Sequence, residues 1–331
     1  MHSTRALSES TEGAGPAEQE VRARAQDGPT GRLLDAAGVH GHLWRRAPSM
    51  TSDPQQLFPG EQFISTVLAA LETKTTMSGE LARRYLQRAG MAGMIIGVLF
   101  AANFAVVAAF DAVPAGDATL RPLGRLLGAV TFGWALVFIY YSKSELLTSN
   151  MMIVSIGAYY RRTSWFKAVR LLGLCYLGNF LGRLLVAVVL RFSTITDGPA
   201  HAEMEAAVAH KLEFVTSGGT GWTDLFLRAV LCNFLINLAM LLVYNGLVKD
   251  DLMKSLIMIV AVFLFAFLGL EHSVANTVLF TVVGLEDGLD VGAAGANVGI
   301  ALLGNFLGGG VLIGFYYAYV NDDAGYRPRT R

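Results

Sequence analysis

The sequence is poor in charged residues and has no excess of either sign. Charged residues make up 16% of the 331 positions, with 26 Lys+Arg against 26 Asp+Glu, while 53% are hydrophobic and the mean hydropathy is +0.46. This composition is typical of a membrane protein, and no basic excess supports nucleic-acid binding. Cysteine is also scarce. Cys175 and Cys232 both fall in apolar stretches, which does not indicate a disulfide framework.

The N-terminal region lacks the apolar core of a signal peptide, so we expect no cleavable signal and insertion through the first apolar span. Residues 1–56 are rich in Ala, Gly, Ser, Pro, Arg and Glu and lack apolar periodicity, which predicts a disordered cytoplasmic tail. Metal-ligand clusters and nucleophile–base motifs are absent from the apolar spans. We therefore expect no cofactor and no enzymatic activity. A short cytoplasmic C-terminal tail is expected at 321–331.

Long apolar segments dominate the predicted membrane domain, residues 57–320. Within 57–75, apolar residues recur at helical spacing, which indicates either an amphipathic helix on the membrane surface or a helix packed on the cytoplasmic face. Six spans follow, at 90–110, 124–160, 165–190, 225–247, 253–285 and 291–320. Twelve basic residues flank the spans on the side of the termini and five on the other side. The positive-inside rule therefore predicts cytoplasmic termini, in a multi-pass protein of the plasma (inner) membrane.

Two of these spans are interrupted by polar residues. In the fifth span, Glu271-His272-Ser273 lies between two uncharged stretches, each too short to cross a bilayer alone. Lys143-Ser144-Glu145 interrupts the second span in the same way. A polar break at membrane depth survives only where it is buried in protein or lines a wet cavity, and an ionisable residue there is a functional-site candidate. Of the six histidines, His272 is the one inside the membrane pattern, since His201 and His210 fall in an expected polar loop.

The two breaks belong to an internal duplication with an offset of 126 residues. This offset relates Glu145 to Glu271, and it relates the pentapeptide Gly-Asn-Phe-Leu-Gly at 178–182 to the same pentapeptide at 304–308. Three spans per half is an odd number, so the two halves must be inverted. The predicted fold class is an all-α membrane protein of six transmembrane helices, built as two inverted three-helix repeats with broken second and fifth helices. The pentapeptide asparagines are expected either to bond across helices or to hold the broken segments.

The residues at these breaks resemble a known family. Glu271-His272-Ser273-Val274-Ala275-Asn276 resembles the Glu-His-Ser-Ile-Ala-Asn signature of the formate/nitrite transporter family. Ser144-Glu145-Leu146-Leu147-Thr148-Ser149 is similar to the Ω-loop in that family's second span, and 304–310 and 231–233 match its sixth- and fourth-span motifs. The resemblance covers roughly 57–320. It implies an aquaporin-like fold with a pore in each protomer of a homopentamer in the lipid bilayer, and small monovalent anions as substrates.

The same resemblance implies roles for individual residues. His272 takes the position of the central pore histidine, with Thr148 as its Ω-loop partner. Lys211 resembles a vestibule lysine, and Asn233 resembles the asparagine that accompanies it, although the spacing between these two is unusual. Apolar pore constrictions are expected at Phe132, Leu136 and Phe265, and Leu146 is expected to be a further pore residue. Glu145 and Glu271 are expected to cap the broken helices, because a carboxylate beside an anion path would repel the anion and one at a helix N-terminus is stabilised. Asn150 and Asn276 are expected to support the same breaks.

Two residues depart from the family pattern. Lys143 stands where the Ω-loop opens with glycine, and Arg183 follows Gly182 where the family has a small residue. A charge at a helix centre costs roughly 2.5–3.5 kcal/mol unless it is paired or hydrated. Glu145 is the candidate partner for either cation. We expect Lys143 at the cytoplasmic pore mouth and Arg183 in a structural role.

These residues predict how an anion would cross. An apolar constriction strips an anion of water at a large energetic cost, and a vestibule cation such as Lys211 raises the local anion concentration. A histidine titrates near working pH and can donate a proton that makes the anion neutral. The predicted function is a pH-dependent channel or anion–proton symporter for small weak-acid anions, formate or nitrite.

Other functions stay open at this point. A channel for hydrosulfide or another small anion is the alternative within the same family. A neutral-solute channel of the aquaporin type is less favoured, because neither break contains Asn-Pro-Ala. A membrane enzyme is disfavoured by the lack of catalytic motifs in the spans.

Overall fold

The computed structural model of the protein describes residues 57–325; the predicted N-terminal tail and the end of the predicted C-terminal tail lie outside them. Within this range, ten helices and one hairpin follow in chain order: α1 (Glu61–Glu80), α2 (Ala82–Asp111), β1 (Pro114–Ala115), β2 (Ala118–Thr119), α3 (Arg121–Tyr141), α4 (Leu147–Tyr159), α5 (Trp165–Arg191), α6 (Pro199–Thr216), α7 (Gly219–Tyr244), α8 (Asp251–Phe267), α9 (Ser273–Glu286) and α10 (Val291–Val320).

Five of the described helices are long and apolar enough to cross a membrane: α2, α3, α5, α7 and α10. The prediction of a predominantly helical membrane protein is therefore confirmed. The exception to an all-helical fold is the antiparallel pair β1–β2, in which two residues on each side flank a turn whose Gly116 has a φ of +68°. Helix α10 is α-helical to Asn305 and π-helical over Phe306–Phe315, where three consecutive glycines occur.

Both predicted breaks are present, and both begin with the same backbone motif. Lys143, after α3, and Gly269, after α8, have φ angles of +56° and +65°. The amide of the residue after each donates to the carbonyl five residues earlier, Ser144 to Ile139 at 3.0 Å and Leu270 to Phe265 at 2.9 Å. This Schellman arrangement ends a helix and redirects the chain, so each break starts with a regular helix terminus.

Two segments differ from the sequence-based expectation. The first long helix begins at Ala82, eight residues before the predicted span at 90–110. Residues 199–216, expected to be a polar loop containing His201 and His210, form helix α6. A proline in its first turn favours the start of a helix, and Met204 and Val208 are buried on one face. Polar composition concealed this helix because only one narrow face is apolar.

The first helix, α1, packs on protein. Phe63, Val67 and Leu71 form its buried face, and the helix contacts α4 and α2. The amide of Gly60, just before α1, donates to Oδ1 of Asn321 at 2.7 Å. Tyr159, at the end of α4, bonds Asp322 at 3.0 Å. The two ends of the described chain therefore meet at one end of the molecule.

The order of elements repeats along the chain. Helices α1 to α5 consist of a shorter helix, a long helix, a broken pair and a second long helix, and α6 to α10 follow the same order. In each half the two long helices pack through glycines. A β-carbon on Gly182 of α5 would overlap the carbonyl oxygen of Gly90 in α2, and one on Gly308 of α10 would overlap that of Val230 in α7. The structure thus retains the duplication at the level of packing.

Candidate functional site: a pathway between two basic vestibules

Three cavities follow one another between the halves. The first vestibule has a volume of 620 Å³ and is lined in part by α1, the helix next to the described chain ends. The second vestibule measures 460 Å³. A chamber of 20 Å³ lies between them, because it shares Leu136, Ile139 and Leu146 with the first vestibule and Phe132, Phe265 and His272 with the second. Together they form a pathway that narrows to an apolar middle.

The walls of the chamber are hydrocarbon with one polar exception. Ile96, Ala135, Ile236 and Val262 complete its lining, and His272 contributes the one imidazole among the residues that line it. Phe132 meets Phe265 edge to face at 5.8 Å between ring centres, and the His272 ring stacks on Phe265 at 5.7 Å. A charged solute in so narrow a space would lose nearly all of its water, which makes this the barrier for ions.

The position of His272 is fixed by the helix that it starts. Its backbone is extended, and its Nδ1 accepts the amide of Ala275 at 3.1 Å, so the side chain caps α9. Its Nε2 lies 3.0 Å from Oγ1 of Thr148. Because Nδ1 accepts a hydrogen bond, a neutral ring must carry its proton on Nε2, which then donates to Thr148. The imidazole is therefore held from both nitrogens.

Thr148 is in turn held by two asparagines of α7. Its carbonyl accepts from Nδ2 of both Asn233 and Asn237, each at 3.2 Å. Asn233 also donates to the carbonyl of Asn305 at 2.7 Å, and Asn305 accepts the amide of Ser273, beside His272, at 2.9 Å. These hydrogen bonds link the starts of both half-helices, α4 and α9, into one buried network that positions Thr148 against His272.

The pentapeptide asparagines hold the two breaks in the same manner. Asn179 accepts the first amide of α4, from Leu147 at 3.1 Å, and donates to the carbonyl of Glu145 at 2.8 Å. Asn305 accepts the first amide of α9 and donates to the carbonyl of Glu271 at 3.0 Å. Of the two roles expected for these asparagines, both apply, since each bonds across helices and thereby holds a broken segment.

A buried carboxylate lies at each break and is paired with a lysine. Glu271 accepts from Nζ of Lys211 at 2.7 Å and from Nδ2 of Asn276 at 2.5 Å. Glu145 accepts from Lys74, from Arg88 at 3.2 Å and from Nδ2 of Asn150 at 3.2 Å. Burying a carboxylate without such partners would cost several kcal/mol, so the pairs allow polar breaks inside an apolar core.

The comparisons with known proteins agree with this geometry. The sequence model described as formate/nitrite transporter matches residues 61–319. The chain belongs to the formate/nitrite transporter family. Among its relatives, an uncharacterized transporter, YwcJ, of Bacillus subtilis is 30% identical over 72% of this chain and 90% of its own length. The formate channel FocA of Haemophilus influenzae is 26% identical over 70% of this chain and 85% of its own.

Solved structures show the same fold. An FNT family ion channel superposes with a TM-score of 0.65 at 24% identity, covering 78% of this chain and 99% of that one. A pentameric formate channel with formate bound gives a TM-score of 0.57 at 23% identity, covering 73% and 98%. These relatives of the transporter family are channels and transporters rather than enzymes.

The structure brings most of the predicted residues of this family member to the pathway. Phe132, Leu136, Leu146, Phe265 and His272 line the chamber, and Lys211 lines the second vestibule. Thr148 and Asn233 are fully buried and line none of the three cavities: Thr148 bonds His272, and Asn233 bonds the carbonyl of Thr148. The four supporting residues lie at the two breaks, but the expected capping by glutamate is wrong: α4 has no side-chain cap, and His272 caps α9.

The expectation that Glu145 pairs with Lys143 or Arg183 is wrong. Lys74 and Arg88 occupy the Glu145 carboxylate. Lys143 lines the first vestibule and lies 5.0 Å from the ring centre of Tyr140. The guanidinium of Arg183 is fully buried and stacks on Phe180 at 4.7 Å, with no hydrogen-bond partner among residues 57–325. A long-range pairing of this kind depends on where α1 lies, which spacing along the chain does not reveal.

Sequence reasoning missed Lys74, Arg88 and Asn237. Lys74 lies on α1 and its counterpart Lys211 on α6, but they are separated by 137 residues and not by 126, so the repeat offset did not connect them. The available signal was a helix boundary: each lysine precedes the start of the next long helix, Ala82 or Gly219, by eight residues. Asn237 follows Asn233 by four residues on α7, a spacing that places both on one helix face.

Among residues 57–325, side chains of metal-ligand type come together at one place outside the pathway. His201, Glu205 and Asp287 lie within 4.8 Å of one another through their ligand atoms. Their groups are at the surface and line none of the three cavities.

Proposed function

We propose that this protein conducts small monovalent weak-acid anions, formate or nitrite, along the pathway through the chamber, and that His272 makes conduction depend on pH. The observation that carries the proposal is the sequence of environments along the pathway: a basic vestibule, an apolar chamber with one imidazole, and a second basic vestibule. Cations at both mouths concentrate anions, and the chamber rejects them while they stay charged.

The small size of the substrate follows from the chamber. Its volume of 20 Å³ has room for about one water molecule and for no larger solute. A solute of three or four heavy atoms passes only if the aromatic rings of Phe132 and Phe265 move aside. A neutral acid loses much less hydration free energy in the chamber than its anion does. Protonation therefore removes the larger part of the energy barrier to crossing.

The geometry of His272 defines what its protonation would involve. An imidazolium carries protons on both nitrogens, and a proton on Nδ1 would face the amide of Ala275. Protonation therefore requires the ring to release that amide, at the positively polarised N-terminus of α9. We infer that the resting ring is neutral, donates from Nε2, and becomes charged only as α9 loosens its first turn. Acid pH then favours the state that can donate a proton to an anion.

The assembly is proposed on the same basis. The pentameric formate channel that shares the fold supports a homopentamer with one pathway per protomer. Six crossings result if α3–α4 and α8–α9 each form one broken crossing beside α2, α5, α7 and α10. The meeting of both described chain ends supports an even number of crossings. Basic flanks favour the cytoplasm of a plasma (inner) membrane as the side of the termini.

Proteoliposomes containing the purified protein test the proposal. Uptake of labelled formate and nitrite, with chloride for comparison, is measured between about pH 5 and pH 8, around the reference histidine pKa. His272→Asn keeps a hydrogen-bonding side chain of similar size but does not titrate. We expect uptake by the native protein to rise on acidification and uptake by His272→Asn to lose this rise, with gain of some chloride flux.

His210→Asn serves as the matched control, because His210 lines the second vestibule as an exposed imidazole away from the chamber. This variant should keep the native pH profile. An unchanged profile in His272→Asn would contradict proton donation by His272, and equal scaling of flux at all pH values would indicate a steric role. Absence of formate and nitrite flux in the native protein would contradict the proposed substrate class itself.

A further inference from the structure

The first vestibule holds more positive charge than its acidic groups balance. Five basic side chains line it, namely Lys74, Arg88, Lys143, Lys249 and Lys254, against one carboxylate, that of Glu145. Glu145 is shared by Lys74 and Arg88, and Lys254 pairs with Asp251 at 2.9 Å. Lys143 and Lys249 form no ion pair with any residue in the described range. Two cations therefore face this cavity without a carboxylate.

The second vestibule has a smaller excess, since one of its basic side chains, that of Arg125, forms no ion pair with any residue of 57–325. Three of its four Lys and Arg side chains are paired. Lys211 meets Glu271 at 2.7 Å, Arg228 meets Asp224 at 2.9 Å, and Arg121 meets Glu203 through two hydrogen bonds of 2.7 and 3.0 Å. If a concentration of small anions were the sole requirement, both vestibules would need similar charge. The larger surplus of unpaired basic side chains in the first vestibule therefore indicates a different occupant.

The floor of the first vestibule offers a donor as well as charge. Ser149 lies in the first turn of α4 and lines the cavity. Its hydroxyl is buried and has no hydrogen-bond partner within residues 57–325. A helix N-terminus carries partial positive charge, so a hydroxyl that can donate there favours an anionic oxygen. The unpartnered hydroxyl and the unpaired lysines are thus parts of one concave site.

The first vestibule has room for an occupant larger than a monovalent anion of three or four heavy atoms. At 620 Å³, the first vestibule falls in the range of about 300–1,000 Å³ that is typical of sites for organic ligands. Such a volume accommodates an anion with several oxygens, which can reach the lysines at the rim and Ser149 at the floor at once.

We infer that the first vestibule is a binding site for a soluble multivalent anion with phosphate groups, which blocks the pathway from the side of the described chain ends. The block extends the proposed transport function and rests on it, whereas the binding does not. Phosphate oxygens accept from lysine ammonium groups and hydroxyls, and two or more charges gain from each added cation. An occupant in contact with Ser149 would close the entrance to the chamber between Leu136 and Leu146.

The charge that Lys143 adds to the first vestibule is a particular feature of this sequence. It occupies the left-handed backbone position that ends α3, where a non-glycine residue is unfavourable, with a φ of +56°. Glycine would fit this position with less strain, so a side chain here adds charge to the cavity at a conformational cost. Lys143→Gly removes that charge and should fold at least as well as the native protein.

Calorimetric titration of inorganic pyrophosphate into the detergent-solubilised protein tests the binding. We expect saturable binding with one site per protomer. Loss of one hydrogen-bonded cation should weaken affinity by about tenfold in Lys143→Gly and again in Lys249→Ser. Lys167→Ser is the matched control, because Lys167 is an exposed lysine outside the cavity and its loss changes the net charge equally. Absent binding, or an equal loss in the control variant, would overturn the site.

Two further experiments are needed. The first distinguishes inhibition of transport from binding alone, and the second distinguishes a soluble anion from a lipid headgroup. Pyrophosphate added on the side of the first vestibule should inhibit formate uptake by native proteoliposomes, and the double variant Lys143→Gly/Lys249→Ser should resist inhibition. Binding without inhibition would overturn the block, even if formate transport itself is normal. Nanodiscs of phosphatidylcholine should retain pyrophosphate affinity when phosphatidylglycerol is added. A loss of affinity there would assign the cavity to a lipid headgroup and overturn the inference of a soluble occupant.

Discussion

The two breaks differ at one position that decides the chemistry of the chamber. His272 and Leu146 are related by the offset of 126 residues, precede α9 and α4 in extended conformation, and both line the chamber. The one presents an imidazole and the other an isobutyl group. The residues around them are alike. An asparagine accepts the first amide of each half-helix, and the residue directly before Leu146 or His272 is a glutamate in an ion pair.

This difference shows how a duplicated scaffold can carry a single functional group. The partner of His272 comes from the other half: Thr148 corresponds by the same offset to Val274. A polar pair at the chamber therefore needs one polar residue from each half at non-equivalent positions. The duplicated pentapeptide asparagines hold the backbone of the two breaks, whereas His272 and its partner Thr148 have no counterpart of the same type in the other half.

Equivalent packing of the halves is tested most severely by their glycines. Gly182→Ala and Gly308→Ala each put a β-carbon on a backbone carbonyl that cannot move without separating two long helices. We expect each variant to lose the monodisperse oligomer peak in size-exclusion chromatography. Gly173→Ala in α5 is the control, because no atom lies within 4 Å of its β-carbon, and alanine is favoured in a helix by about 1 kcal/mol. Survival of one variant but not the other would show that the halves pack differently.

The glutamate pairs should differ between the halves despite their similar geometry. Glu271 has Lys211 as its one ion-pair partner within 57–325, whereas Glu145 has both Lys74 and Arg88. Lys211→Met leaves a buried carboxylate without a cation and should cost about 3 kcal/mol. Lys74→Met leaves Arg88 in place and should cost about 1 kcal/mol.

Thermal unfolding in detergent measures both changes. The double variant Lys211→Met/Glu271→Gln should recover much of the stability that Lys211→Met loses, because the uncompensated charge is gone. Equal losses in the two lysine variants would show that Arg88 does not share the charge of Glu145.

The sequence allowed prediction of those features that depend on local pattern. Repetition of Glu145 and Asn150 at Glu271 and Asn276 located both breaks, and an apolar background made His272 the candidate imidazole. Contact between His272 and Thr148, expected from the family resemblance, agrees with the 3.0 Å separation in the structure. Local helix termination and apolar periodicity are properties of short segments, so the sequence displays them directly.

What could not be predicted depends on where whole helices lie. The pairing of Glu145 with Lys74 requires that α1 cover the break between α3 and α4, and the two residues are 71 positions apart. The same limit applies to Asn233, which was expected beside the pathway but lies behind Thr148 against the glycines of α10. Helix spacing fixes the face on which a residue lies but not the element that covers it.

The smallest expected effect concerns the residue after each glycine pair. Arg183 corresponds by the offset to Gly309, where a β-carbon would overlap the side-chain amides of Asn233 and Asn237. In the first half this position is open enough for a guanidinium, which stacks on Phe180 and Tyr176 at 4.7 and 5.4 Å but has no acceptor in the described structure.

Because an unpaired buried cation opposes folding, Arg183→Met should raise stability by about 1 kcal/mol after loss of the ring contacts. Arg183 lines neither vestibule nor the chamber, so the ratio of formate to chloride flux should stay unchanged. Thermal unfolding and paired flux assays measure the two outcomes. A changed flux ratio would mean that the charge of Arg183 acts on the pathway across the packed helices, and the two halves would then differ in electrostatics beyond the vestibules.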